Sequence, residues 1–200
     1  IISMKPILYT ILILAIIFTI AQIAIYMSST KTKTQPYRIV ASKPDFEIRF
    51  YPAATMATIS SSAVSYRQLG RSGFGTLARY IFGGNEGKKQ IAMTAPVHMA
   101  ISDSAASMSF VMPDGYTMDN LPAPNDSNVK LKTTSDQYVA AITFGGFASD
   151  SDIKKYTDKL DQLLKANSIS HFGDFRFLGY NPPYQLFGRK NEVIVNVIWK

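Results

Sequence analysis

Ser65-Tyr-Arg-Gln-Leu-Gly-Arg-Ser-Gly-Phe-Gly-Thr-Leu-Ala-Arg-Tyr-Ile81 decides the fold, because it is a helix set between strands. Ser65 and Gln68 have the spacing of a capping box. Tyr66, Leu69, Gly70, Gly73, Phe74, Leu77, Ala78 and Ile81 recur at helical spacing, while Arg67, Arg71, Ser72 and Arg79 fall off that stripe. Gly83-Gly84 reads as the helix stop. Working outward, Phe46-Glu-Ile-Arg-Phe50 alternates as a half-buried strand, and Thr55–Ser62 reads as its hairpin partner. On the other side, Gln90–Ile101 and Ser107–Met112 read as strands, with a bulge or edge at Pro96. Pro113, Asp114-Gly115, Pro122, Pro124 and Asn125-Asp126 then make 113–128 a long loop.

The plan now repeats. Val129–Lys132 and Tyr138–Phe144 alternate as strands. Ser149 and Asp152 cap a helix marked by Ile153, Tyr156, Leu160, Leu163 and Leu164. Phe175–Leu178 and Val193–Trp199 follow as strands, the latter with Val193, Val195, Val197 and Trp199 on one face. Each half therefore reads strand–strand–helix–strand–strand, a repeat of architecture without sequence identity. The expected class is α+β: a strongly curved, mostly antiparallel sheet or barrel carrying two helices.

Two hundred residues suit one domain plus an appendage. Twelve Phe, eleven Tyr and eight Met supply an aromatic core or the wall of a pocket for a flat apolar ligand. The absence of Cys excludes disulfides, thiolate metal sites and cysteine nucleophiles. The net charge of +7 suits anionic lipid or a ligand carrying carboxylates. The basic residues form no Lys/Arg block, so nucleic acid is not an expected partner.

Pro6 to Thr30 carries no charge, and its apolar core Ile7–Met27 exceeds the roughly 20 residues that span a bilayer. Residues 1–27 thus read as an uncleaved membrane anchor, 28–36 as a polar tether, and 37–200 as the globular domain. Met4 is the expected translation start. Lys31, Lys33, Arg38 and Lys43 outnumber Lys5, which leans toward a cytoplasmic domain. A short Met-Lys-Pro opening also suits an outward-facing anchor, so the side stays open.

Gly70, Gly73 and Gly75 are anomalous inside a helix, each costing about 1 kcal/mol relative to Ala. Gly70 and Gly73 lie on the apolar stripe, where either another backbone packs closely or a planar ligand lies across it. Arg67, Arg71, Lys88, Lys89, Arg189 and Lys190 are the cations available to a ligand's carboxylates. His98 and His171 are the only histidines, and no HxxxH or HxxE spacing supports zinc. Neither a GxSxG elbow nor a Walker loop occurs, so no enzyme is expected.

Five segments occur in order across Tyr37–Trp199: Ile91-Ala-Met-Thr-Ala-Pro-Val97, Phe110-Val-Met-Pro113, Phe144-Gly-Gly-Phe147, Tyr180-Asn-Pro-Pro183 and Gly188-Arg-Lys-Asn-Glu-Val193. Together with Asp45-Phe-Glu-Ile-Arg-Phe-Tyr51 they resemble the SOUL family of haem-binding proteins. The resemblance implies two βαββ-like halves forming a distorted, mostly antiparallel β-barrel with two helices. It also implies reversible binding of haem or another tetrapyrrole, without established enzymatic chemistry. By motif match the ligand would lie against the first helix of the domain and the C-terminal hairpin loop. That assigns Tyr66, Leu69, Gly70, Arg71, Gly73, Phe74, Leu77, Ile81, Arg189 and Lys190 to the site. Tyr184-Gln185 stands where family members can carry a basic residue, and neither histidine matches an axial ligand.

Three functions follow as expectations. The first is a membrane-anchored, monomeric haem or tetrapyrrole binder acting as carrier, buffer or sensor. The second is a small-molecule module for a lipophilic cation on the same scaffold. The third is an interaction protein at the membrane.

Overall fold

The computed structural model describes residues 4–102 and 105–200, so the reading of residues 1–3 as lying upstream of the start falls outside the described residues. A long helix, α1 (Met4–Thr30), precedes the domain. The first half is β1 (Arg38–Ser42), β2 (Glu47–Tyr51), β3 (Ala54–Ser61), α2 (Tyr66–Ile81), β4 (Val97–Ile101) and β5 (Ala106–Val111). The second is β6 (Lys130–Thr134), β7 (Gln137–Gly145), α3 (Asp150–Ala166), β8 (His171–Gly179) and β9 (Lys190–Val197). Every strand pairing is antiparallel, in the order β1-β2-β7-β9-β8-β4-β5-β3-β6. The α+β class and the two βαββ-like halves are as expected from the sequence.

The sheet curls because its two ends share strands. β2 runs into β3 through Pro52-Ala53, and β6 runs into β7 through Ser135-Asp136. Tyr51 pairs with Gln137 and Ala54 with Thr134, in one continuous register. The four strands therefore form a single long two-stranded ribbon, braced at its break by the Ala53 N–H donating to Asp136 Oδ1 at 2.7 Å. β9 joins the ribbon at β7 and β5 joins it at β3, which draws the sheet round into a distorted barrel. β2 and β3 are thus not hairpin partners, contrary to the alternation-based expectation. A tight two-residue hairpin needs positive φ, and Pro52-Ala53 is not a pair that supplies it.

Other boundaries move for local reasons. The strand expected from Gln90 begins only at Val97, because Pro96 cannot donate to a ladder and Ala95 bridges instead to Thr34. β8 begins at His171, ahead of the strand expected from Phe175. It absorbs a bulge between Phe172 and Arg176 through Gly173, whose φ is +70°. β1, missed in the sequence, edges β2.

The caps explain where the helices start and stop. Ser65 Oγ accepts the Gln68 N–H at 3.1 Å, as expected, but the Gln68 side chain reaches past Ser65 to the Val64 N–H. At the other end Gly83 takes φ +100° and the Gly84 N–H donates to the Arg79 carbonyl at 2.8 Å. At α3, Ser149 and Asp152 cap each other reciprocally. α2 lays Leu69, Gly73, Leu77, Tyr80 and Ile81 on Ala57, Ile59, Val97, Met108 and Phe110. α3 lays Ile153, Leu160 and Leu164 on Ile48, Ile142, Val193 and Val195. Tyr51, Val139, Ala141, Leu178 and Ile194 form a third cluster on the face turned away from the helices, inside the barrel.

α1 is long and apolar enough to cross a membrane, and its apolar window is 0% buried. Thr10 and Thr19 return their hydroxyls to the Pro6 and Ala15 carbonyls within the helix. Gln22 instead bonds outside it: Nε2 donates to the Tyr184 carbonyl at 3.3 Å and Oε1 accepts the Leu186 N–H at 3.1 Å. Tyr26 lies so close to Gly188 that a Cβ there would sit 2.6 Å from its ring. Beyond the helix, Lys33 and Gln35 bond to the backbone of Ala95.

Candidate functional site

α2 presents two different faces, and the expected site residues divide between them. Leu69, Gly73, Leu77 and Ile81 are buried against the sheet, so they support the helix from beneath. A Cβ on Gly73 would meet Ile59 Cδ1 at 2.6 Å, so this glycine exists for close packing. Tyr66 is half-buried, its ring edge-on to Phe177 at 5.7 Å and its N–H donating to Asp150 at 2.6 Å. Burial first, then the nearby Asp150, pushes its phenol up to about 12. Gly70, Arg71 and Phe74 face outward. Nothing lies within 4 Å of a Cβ built on Gly70 or on Gly75. Phe74 is 37% exposed and rests edge-on against Phe110 at 5.3 Å.

Arg67, Gly70, Arg71, Phe74, Gly75 and Ala78 thus form an outer stripe, flat at its two glycines and carrying two cations. Ser65, Arg67, Gln68, Arg71 and Ser72 line an open recess at its N-terminal end. The helical spacing of this second stripe was present in the sequence. It was masked because Gly70 and Phe74 fit the apolar periodicity equally well.

The C-terminal hairpin uses its cations internally. Arg189 donates to the Pro182 and Gln185 carbonyls, both at 2.7 Å, and its guanidinium lies 4.3 Å from the Phe147 ring centroid. Burial holds its pKa below the usual arginine value. Lys190 pairs with Glu192 at 3.0 Å over the Tyr180 ring. The hairpin loop is braced throughout: buried Gln185 donates to the Phe187 carbonyl at 2.8 Å and accepts from Asn181, and Asn181 accepts the Lys190 N–H. Among the described residues Arg67 and Arg71, with Arg79 in the last turn, are the α2 cations without a salt-bridge partner.

The barrel interior holds a polar group that alternation alone did not reveal. Arg49, 2% exposed, forms a bidentate pair with Glu192 at 2.9 and 3.0 Å. Tyr180 donates to Glu192 at 2.7 Å and Thr143 at 3.1 Å. Burial opposes ionisation of Glu192, but the bonds and charge of Arg49 outweigh it and hold the carboxyl below its ordinary value. β2 was expected to be half-buried, and Glu192 fell outside the strand expected over Val193–Trp199. Helices cover one face of these strands and the barrel encloses the other, so both faces are buried. The signal in the sequence was an opposite-charge pair, Arg49 and Glu192, on the alternate face of two apolar strands.

Both histidines are also engaged. His98 lies inside the barrel with Nε2 2.8 Å from Gln35 Oε1, and burial, reinforced by the charge of Arg176, pushes its pKa down to about 3. His171 pairs with Asp161 at 2.9 Å. Among the described residues no group of His, Cys, Asp or Glu could hold a metal ion. The outer face of α2 has the features that a tetrapyrrole's ring face and carboxylates require: open glycines, an exposed aromatic ring at Phe74 and two arginines.

A family model described as SOUL heme-binding protein matches residues 32–196. Heme-binding protein 1 of Mus musculus is 26% identical over 173 residues, covering 80% of this chain and 90% of that protein. Heme-binding protein 2 of Homo sapiens is 29% identical over 156 residues, covering 74% of this chain and 76% of that protein. The crystal structure of the EcmrR C-terminal domain superposes with a TM-score of 0.60 at 9% identity, covering 82% of this chain and 99% of that one, a likeness of fold alone.

Proposed function

The chain belongs to the SOUL heme-binding protein family, and on that premise we propose that it holds haem or a related tetrapyrrole on the outer face of α2. It acts there as a carrier, buffer or sensor and not as an enzyme. The observation that carries this reading is the open stripe of Gly70, Phe74 and Gly75 flanked by Arg67 and Arg71. Burial of one ring face against the stripe supplies most of the affinity, at about 25 cal/mol per Å² of apolar surface. The arginines pair with the propionates; exposed pairs of this kind contribute about 0.2–1 kcal/mol each, so they orient more than they bind. When bound, the macrocycle supplies its iron for ligand or redox sensing. No imidazole of this chain faces the stripe.

α1 serves as the membrane anchor in this reading. Its support is the charge-free run from Pro6 to Thr30 and the exposure of its apolar side chains. The folded domain is proposed as a monomer, with the membrane and the tetrapyrrole as its partners.

Haemin titration of the full chain in detergent, followed in the Soret band against micelles alone, tests the proposal. A saturable one-to-one shift is expected. The His98→Ala/His171→Ala double variant should keep it, and Arg67→Ala/Arg71→Ala should weaken it about tenfold, equivalent to roughly 1.4 kcal/mol. A shift lost with the histidines and unaffected by the arginines would move the ligand away from α2.

A further inference from the structure

The hairpin loop between β8 and β9 carries three large apolar side chains at its tip: Tyr184 is 62% exposed, Leu186 40% and Phe187 68%. Phe147, also exposed, lies under the guanidinium of Arg189, a residue of the same hairpin. An apolar tip of this kind on a mobile loop would say little. Here the loop is held rigid by Arg189, Gln185 and Asn181, so the tip is presented and not folded away.

The tip also has a fixed position against α1. Gln22 is the only side-chain amide between Pro6 and Thr30, and an amide without a partner is costly in an apolar medium. Both of its hydrogen-bonding functions are taken by the loop, at Tyr184 and Leu186, and Tyr26 packs on Gly188. Counted from Ile7, the roughly 20 residues that cross a hydrocarbon core end near Tyr26. Gln22 then lies about 6 Å inside that boundary, at a rise of 1.5 Å per residue. The loop tip bonded to it is at the same depth.

We infer that the Tyr184–Phe187 tip is a lipid-contact surface, inserted into the membrane interface beside α1 so that the domain sits on the bilayer instead of swinging on a tether. The inference rests on the reading of α1 as a membrane anchor. Its partner is the headgroup and upper acyl region of a phospholipid leaflet. Depths of about 5–10 Å are usual for interfacial insertion, and the aromatic character of Tyr184 and Phe187 suits that zone. Lys31 and Lys33, exposed just beyond the helix, suit the same leaflet's phosphates.

The chain has no cysteine, so single labels can be placed without background. Phe187→Cys, Tyr184→Cys, Ile13→Cys and Asp158→Cys are each made in the full chain, nitroxide-labelled, and reconstituted into phosphatidylcholine/phosphatidylglycerol vesicles. Collision with oxygen, which partitions into lipid, is compared with collision with a water-soluble nickel chelate. The inference expects oxygen-to-nickel ratios at 184 and 187 severalfold above that at 158, on the exposed face of α3, and closer to that at 13. Ratios at 184 and 187 equal to that at 158, with 13 in lipid, overturn the loop insertion and leave the anchor standing. A water-like ratio at 13, together with water-like ratios at 184 and 187, overturns both.

Discussion

Gly70 and Gly73 lie one helical turn apart and answer to different constraints. Gly73 is packed on Ile59, so Gly73→Leu should destabilise the domain by about 1–3 kcal/mol or more through overpacking, read as a lower urea midpoint. Gly70 is open, so Gly70→Ala should stabilise the helix by about 1 kcal/mol. Gly70→Leu should leave the urea midpoint at or above that of the parent yet abolish most haemin binding. Retained binding in Gly70→Leu would remove this face from the site. His98 makes a separate test. Its folded pKa, about 3, lies below the ordinary 6.5, so the unfolded chain takes up the proton first as pH falls. The stability it contributes is complete above about 6.5 and is lost between there and about 3, at up to roughly 1.4 kcal/mol per pH unit. Denaturant melts at pH 7.5 and pH 5 should differ by the part of this loss that falls above pH 5, up to about 2 kcal/mol, and His98→Gln should shrink the difference.

Elements were legible where a local pattern fixed them. α2 and α3 start at Ser65 and Ser149 because those hydroxyls meet orphan N–H groups, a feature written within four residues of sequence. Ser65→Ala should accordingly cost about 1 kcal/mol in the same melts. Pairing between strands was less legible. Alternation in β2 shows two faces but not which strand lies at its edge, and so β3 was taken for its partner. It also could not show that both faces would be covered. Arg49 on β2 and Glu192 on β9 reach across the intervening β7, which locks three strands at one depth. Arg49→Met should cost about 3–5 kcal/mol by stranding the buried carboxylate, whereas Arg49→Met/Glu192→Met should recover most of that loss. A loss in the double variant equal to the sum of the Arg49→Met and Glu192→Met losses would mean that the pair is not coupled.

At the scale of the whole molecule, the repeat of two halves was visible in the sequence because each half carries its own helix and its own turn signals. The surface that a ligand would use was only partly visible. Periodicity finds the buried stripe of a helix first, and here the outer stripe shares Gly70 and Phe74 with it. The fate of Arg189 and Lys190 was hidden for another reason: a cation's partners in a folded loop, such as the Pro182 carbonyl or Glu192, leave no mark at fixed spacing.

The ribbon that closes the barrel also sets an order of events in time. Glu47 pairs with Ala141 and Thr58 with Lys130, so the first strands of the domain wait for partners made far later in the chain. At synthesis rates of roughly 5–20 residues per second, that wait is several seconds on the ribosome. Contacts so distant along the chain slow folding. During the delay the nascent first half exposes the unpaired edges of β2 and β3, the kind of surface that aggregates unless shielded. Cutting the chain in the 113–128 loop would make the delay permanent, leaving two fragments each holding one strand of a ribbon that neither can complete.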